Sequence, residues 1–209
     1  ATHLLTVLAL GTSWLGLAAY ENGDWATYRG NTGRTAHTAT ALPKSLRLRW
    51  HHDASPAAPA WPAPARRSYW QNLETIEPRM IDDRDTHPVV AGACVLYGSS
   101  RQDEVVCLDS RNGQVRWRVV CDGPVRYAPV VVKSRVYFGS DDGSIRCVHL
   151  MTGKQIWNQR IGPPAPMIPG NGRIISPYPV RTGLLIEDQV IYACAGLFPM
   201  QGVFAAALH

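Results

Sequence analysis

Between residues 87 and 162 the apolar positions fall in short alternating runs rather than at helical spacing. Val115, Trp117 and Val119 alternate with Gln114, Arg116 and Arg118, the period-two pattern of a strand with one buried face. Val130–Val132 is an apolar run that meets a turn at Lys133-Ser134, and Arg135–Phe138 returns from it. Asp141-Asp142-Gly143 has the Asp-Gly chemistry that tolerates positive φ in a hairpin. Ser144–His149 then leads through Thr152-Gly153 into a fourth strand ending near Trp157. The pattern predicts four short antiparallel strands, and the 18 Gly and 16 Pro interrupt the chain too often for helix bundles or coiled coils.

The unit recurs. Cys107–Trp117 overlays on Cys147–Trp157, with Cys, Gly and Trp in the same places. Pro88-Val89-Val90 matches Pro129-Val130-Val131, and Val95–Ser99 matches Val136–Ser140. Gly183–Tyr192 forms a third copy, aligned without gaps on Pro129–Phe138. Four antiparallel strands in roughly forty residues is the blade of a β-propeller. The expected fold class is therefore all-β: a partial β-propeller of four-stranded antiparallel blades, cut from a ring of about seven or eight. Trp117 and Trp157 are expected to wedge between neighbouring blades, with the glycine ahead of each permitting a tight turn.

The eleven-residue pattern resembles the tryptophan-docking motif of the pyrroloquinoline-quinone (PQQ) repeat family, Ala-x-Asp-x-x-Thr-Gly-x-x-x-Trp. Cys107, Asp109, Asn112, Gly113 and Trp117 occupy its positions once, with Cys for Ala and Asn for Thr. Cys147, His149, Thr152, Gly153 and Trp157 occupy them again, with Cys for Ala and His for Asp. Asp109, Gly113, Trp117, Thr152, Gly153 and Trp157 are thus structural docking residues by resemblance. Residues 24–50 are similar to the opening of secreted PQQ-binding-like propeller proteins through Trp25–Asn31 and Leu46–Trp50. The family includes quinoprotein dehydrogenases, which use PQQ and Ca²⁺, and a barrel-assembly lipoprotein that serves as a docking scaffold. The resemblance implies the fold strongly and the activity weakly, because propellers host many functions. The adjacent Cys-Cys pair of the dehydrogenases is absent, and no calcium ligand or catalytic Asp is matched residue by residue. No cofactor site is evident in this fragment; PQQ and Ca²⁺ belong, by resemblance, to a full-length protein.

Residues 1–20 carry no Lys, Arg, Asp or Glu, and Leu4–Ala19 is apolar and ends in small residues. Residues 1–19 read as a signal peptide, with a signal anchor as the alternative, and place the protein in the periplasm or outside the cell. The remaining layout is an N-terminal segment with one propeller strand (20–53), a Pro-rich insertion (54–86), blades at 87–123 and 124–162, an insertion loop (163–178) and a truncated blade (179–209). Ala207-Leu208-His209 falls on the first three positions of a third docking motif, so the chain reads as a piece of a longer propeller.

The 21 basic and 16 acidic residues give a net charge of +5, scattered rather than clustered, which excludes a nucleic-acid tail or a polybasic membrane patch. The acidic cluster Asp82-Asp83-Arg84-Asp85 lacks the alternating oxygen spacing of a calcium loop and reads as a solvated turn. The five cysteines match no zinc, thioredoxin-type or haem spacing and read mostly as buried strand residues. His51-His52 reads as a surface feature. Residues at the start of each inner strand face the channel of a propeller: Thr86 and His87, Arg126 and Tyr127, Arg181 and Thr182. With Arg173 from the insertion, these are the candidate ligand-binding residues, the arginines being suited to an anionic group. No metal ligands are assigned and the catalytic residues are unknown. The expectation is a binding or interaction module, holding a protein partner or a small molecule at the propeller face beside the remaining blades. The alternative is a fragment of a PQQ- and Ca-dependent alcohol or sugar dehydrogenase.

Overall fold

A computed structural model describes residues 24–54, 86–170, 173–197 and 199–209. The leader, most of the Pro-rich insertion and the acidic cluster at residues 82–85 lie outside the described residues. Within them the chain is all-β apart from one short 3₁₀ turn, Pro199–Gln201.

Strands β1 (Val89–Ala91), β2 (Cys94–Ser99), β3 (Glu104–Asp109) and β4 (Val115–Val120) form one antiparallel sheet in sequential order. Strands β5 (Val130–Val132), β6 (Arg135–Gly139), β7 (Ser144–His149) and β8 (Gln155–Arg160) form a second with the same order. The repeat extends to the defects: β3–β4 and β7–β8 each shift register after the docking-motif cysteine, at Cys107/Leu108 and at Cys147/Val148. Every residue of β3 is buried, whereas in the outer strand β4 only Trp117 is, and the expected alternation is not carried through to Val115 and Val119.

The 163–178 segment forms a two-stranded hairpin of β9 (Ile168–Gly170) and β10 (Arg173–Ile175), its tip at residues 171–172 lying outside the described residues. Strands β11 (Leu185–Glu187), β12 (Val190–Ala195) and β13 (Phe204–Leu208) complete a three-stranded sheet. Leu185 pairs with Tyr192 as Val130 pairs with Tyr137, so Tyr192 takes the place of Tyr137 and not that of Phe138. The ungapped alignment of the third copy is therefore one residue out. Two-residue turns at Lys133-Ser134 and Asp188-Gln189 fix both hairpin registers, and turn geometry outweighs the chance match of apolar residues upstream. The same correction makes Thr86 the counterpart of Tyr127 and Thr182, one place beyond Arg126 and Arg181. Ala207 lies opposite Tyr192 as Cys147 lies opposite Tyr137.

Leu46–Trp50 pairs with no strand among the described residues. Trp25 instead bridges to Val90, and the Ala26 carbonyl accepts from Val131 N at 2.8 Å, so the N-terminal segment lies against inner strands of both blades. Two apolar clusters fill the seams. One joins Leu96, Val105, Cys107 and Trp117 to Val131, Val136 and Phe138; the other joins Tyr137, Ile145 and Cys147 to Val180, Leu184 and Ile191.

Candidate functional site

Because β1, β5 and β11 all start at one end of their sheets, that end also carries the β2–β3, β6–β7 and β12–β13 loops. It is called the leading end here, and the end bearing the docking-motif turns the trailing end.

At the trailing end the motif residues build their own turns, and Trp117 reaches across to the next sheet. Asp109 is buried and accepts from Arg111 N at 2.8 Å and from Arg116 Nη2 at 2.6 Å. Hydrogen bonds from Arg111, then from Arg116, hold its carboxyl well below the usual carboxylate range. His149 stands at the equivalent place, and its Nδ1 accepts from Met151 N at 3.3 Å, the same bond two residues on. The Asp-to-His departure from the motif keeps the turn because either side chain can offer an acceptor there. Asn112 and Thr152 likewise each accept from the backbone two residues later, at 3.0 and 3.3 Å.

Trp117 lies over Gly153 and donates from Nε1 to Leu150 O at 2.8 Å. Gly153 has φ 68°, and a Cβ there would meet the indole at 2.8 Å, so both conformation and space require glycine. Gly113 carries the same contact with a tryptophan that sequence reasoning missed: Trp50 covers it and donates to Ser110 O at 3.0 Å. The signal was present in Arg49-Trp50, but the intervening Pro-rich insertion breaks the period. Trp157 is half-buried and tilts against Tyr137 at 6.0 Å between ring centroids.

At the leading end the structure gathers three of the candidate arginines around carboxylates. Asp141, whose side chain is 1% exposed, accepts from Arg126 Nε at 2.7 Å and from Arg181 Nε and Nη2 at 3.0 and 2.7 Å. Arg173 reaches back from the insertion hairpin to Arg101 O and to the carboxylate of Asp103. Burial, outweighing the hydrogen bond from Arg173, pushes the Asp103 carboxyl up, and its Oδ1 is buried with no hydrogen-bond partner. Beside them Asp142 accepts from Arg146 Nη2 at 2.6 Å. Cys121 is buried and its thiol is pushed up to about 12 by that burial.

The other candidates are dispersed. Thr86 and Tyr127 are exposed, and His87 packs edge-on against Tyr28 at 4.9 Å. Thr182 bonds to the Cys194 backbone at 2.9 Å. His52 is half-buried and shares a 3.1 Å hydrogen bond with the Tyr97 hydroxyl. Sequence reasoning missed Asp103 and Asp141, because an Asp in a tight turn is accounted for by the turn alone. All five cysteines are free, four of them buried. Cys94 is depressed to about 7, first by a hydrogen bond from Cys107, whose own thiol that bond raises.

The described residues alone do not fit a calcium-bound quinone. The guanidiniums best placed for its carboxylates share Asp141, and no three His, Cys, Asp or Glu side chains gather as ligands among the described residues.

A PQQ-repeat family model described as outer membrane protein assembly factor BamB matches residues 47–197. No curated protein matches the chain. Among solved structures, quinohemoprotein alcohol dehydrogenase ADHIIG from Pseudomonas putida HK5 is similar at TM-score 0.55 and 16% identity, over 86% of this chain and 24% of that one. Quinohemoprotein alcohol dehydrogenase from Comamonas testosteroni gives TM-score 0.51 and 14% identity, over 86% and 24%. BamB from Moraxella catarrhalis gives 0.45 and 19%, over 64% of this chain and 42% of that one. At these identities the two dehydrogenases show the fold alone, a partial propeller, and the chain spans less than half the length of each of these three structures.

Proposed function

This chain belongs to the PQQ-repeat family described as outer membrane protein assembly factor BamB, and from that premise we propose that it is a binding module whose leading end docks a protein partner. One observation carries the reading: the leading end exposes Tyr127, Ile174, Leu197, Met200 and Val203 above ionic groups that are already paired. Exposed apolar side chains gathered on one end of a domain mark interaction surfaces more often than catalytic ones. The paired charges beneath serve to hold that end rigid. Asp141 clamps the starts of β5 and β11, and Arg173 ties the insertion hairpin to the first blade. A preformed surface loses less entropy when it binds.

The test places a photo-activatable residue at Met200 or Val203, and in parallel at Met151 or Ile156 of the trailing end, in the producing cell. Adducts to one discrete polypeptide from the leading positions only are expected. Equal yields from both ends overturn the docking reading. The alternative, a dehydrogenase fragment whose quinone and calcium are held with the help of other blades, is tested on the protein as its gene encodes it. PQQ with Ca²⁺ is expected to leave the quinone absorbance unshifted and an acceptor dye unreduced; stoichiometric binding with dye reduction installs the enzyme instead. Export to the periplasm or the medium rests on the leader and is tested by fusing residues 1–23 to a reporter active only outside the cytoplasm.

A further inference from the structure

The buried face between the two complete blades holds a group of sulfurs that the docking function does not use. Cys94 and Cys107 sit on adjacent strands of the first blade: Cys107 is opposite Leu96, so Cys94, two residues before Leu96, lies diagonal to it on the same face. Both thiols are wholly buried, and each shifts the ionisation of the other. Met151, from the β7–β8 turn of the next blade, sets its Sδ 3.9 Å from Cys94 Sγ. Two sulfurs sharing one ion at about 2.3 Å each stand about 3.8–4.0 Å apart, so the Cys94–Met151 spacing is already that of two ligands on a common metal.

The sulfurs have one cationic neighbour. Arg116 acts on both thiols, and its Nε is buried without a hydrogen-bond partner, a donor with no acceptor in its place. Arg116 is paired with Asp109 at 2.6 Å, and Arg111, the second partner of that carboxylate, is mostly exposed. Two thiolates with a monovalent cation leave one negative charge, which faces the neighbouring Arg116 guanidinium. Thiolate and thioether donors are soft and prefer cuprous copper among biological cations.

We infer that Cys94, Cys107 and Met151 form a three-sulfur site for a soft monovalent cation, Cu(I), at the seam between the two blades. Binding breaks two S–H bonds and sends both protons to solvent. Two metal–thiolate bonds and one thioether bond form, and no electron moves when the metal arrives as Cu(I). Access runs past Met151, which is 48% exposed and unbranched, so it can swing aside and return as a ligand.

The test offers Cu(I) from its bicinchoninate complex, without oxygen, to the reduced protein. One ion per chain is expected to transfer, with X-ray absorption showing three sulfur neighbours. Met151→Leu removes an exposed ligand without opening the core. It should weaken binding at least tenfold, the scale on which even the outer partners of metal ligands count. Cys94→Ser should abolish transfer and Cys194→Ser should leave it unchanged. Should Cys94→Ser fail to fold, Met151→Leu still decides. Unchanged affinity in Met151→Leu overturns the site. So does a protein that ignores the metal and instead closes a Cys94–Cys107 disulfide under a mild thiol oxidant.

Discussion

The two seams of this molecule are built from one repeat and are held differently. Between the first and second blades the seam is apolar and aromatic: Trp117, only 8% exposed, sits on Gly153 and bonds to Leu150 O. Between the second blade and the three-stranded sheet, the corresponding Trp157 is half-buried against Tyr137 of its own blade, and the buried Asp141–Arg181 pair ties the seam at the opposite end. Trp117 docks because the next sheet presents the β7–β8 turn to it; among the described residues no such turn faces Trp157.

The contrast is broken most directly at its two strongest points. Trp117→Ala should cost about 3–5 kcal/mol, by lost burial and the cavity left beside Gly153, measured as a fall in the denaturant midpoint. Asp141→Ala should destabilise by a similar ~3–5 kcal/mol, because it leaves two largely buried guanidiniums without their shared carboxylate. Double-mutant cycles of Asp141 with Arg181 should give strong coupling, whereas those of Asp141 with Trp117 should be additive. Trp157→Ala should cost less, about 1–2 kcal/mol, in keeping with a half-buried ring. Equal losses for the two tryptophans would erase the distinction between the seams.

The smallest effect is on pH. Asp109 ionises more readily in the folded chain than in the unfolded one, so its stabilisation is present above the ordinary Asp range and is lost as the pH falls through its depressed folded value. Asp109→Asn should therefore flatten the acid limb of the stability curve while leaving its neutral-to-alkaline shape intact. Asp103 runs the other way: its raised value makes the folded state gain stability on acidification, a gain that is lost as the pH rises through that value.

Strands were legible in the sequence because each carries its own signal. The period-two alternation of Val115, Trp117 and Val119 marks β4, and the turn chemistry of Asp141–Gly143 marks the β6–β7 hairpin. The third copy was legible in kind but slipped by one residue, since the match of apolar residues across Gly183–Ile186 carries no information about the Asp188-Gln189 turn that sets the pairing. The arginines at the leading end were found by position. Their carboxylates were not, because Asp103 and Asp141 look like turn residues until the fold brings Arg173, Arg126 and Arg181 to them from up to 70 residues away. Trp50 escaped for a related reason: its partner Gly113 lies beyond an aperiodic insertion.

The bonds from Trp25 to Val90 and from Ala26 to Val131 have a kinetic meaning. A segment made before both blades is bonded to strands synthesised much later, so these innermost contacts cannot form progressively with elongation. Ordering such distant partners carries the loop-closure entropy that makes high-contact-order topologies slow to fold. Until Val131 has emerged, the Ala26 carbonyl lacks its donor and the N-terminal segment is held by the first blade alone.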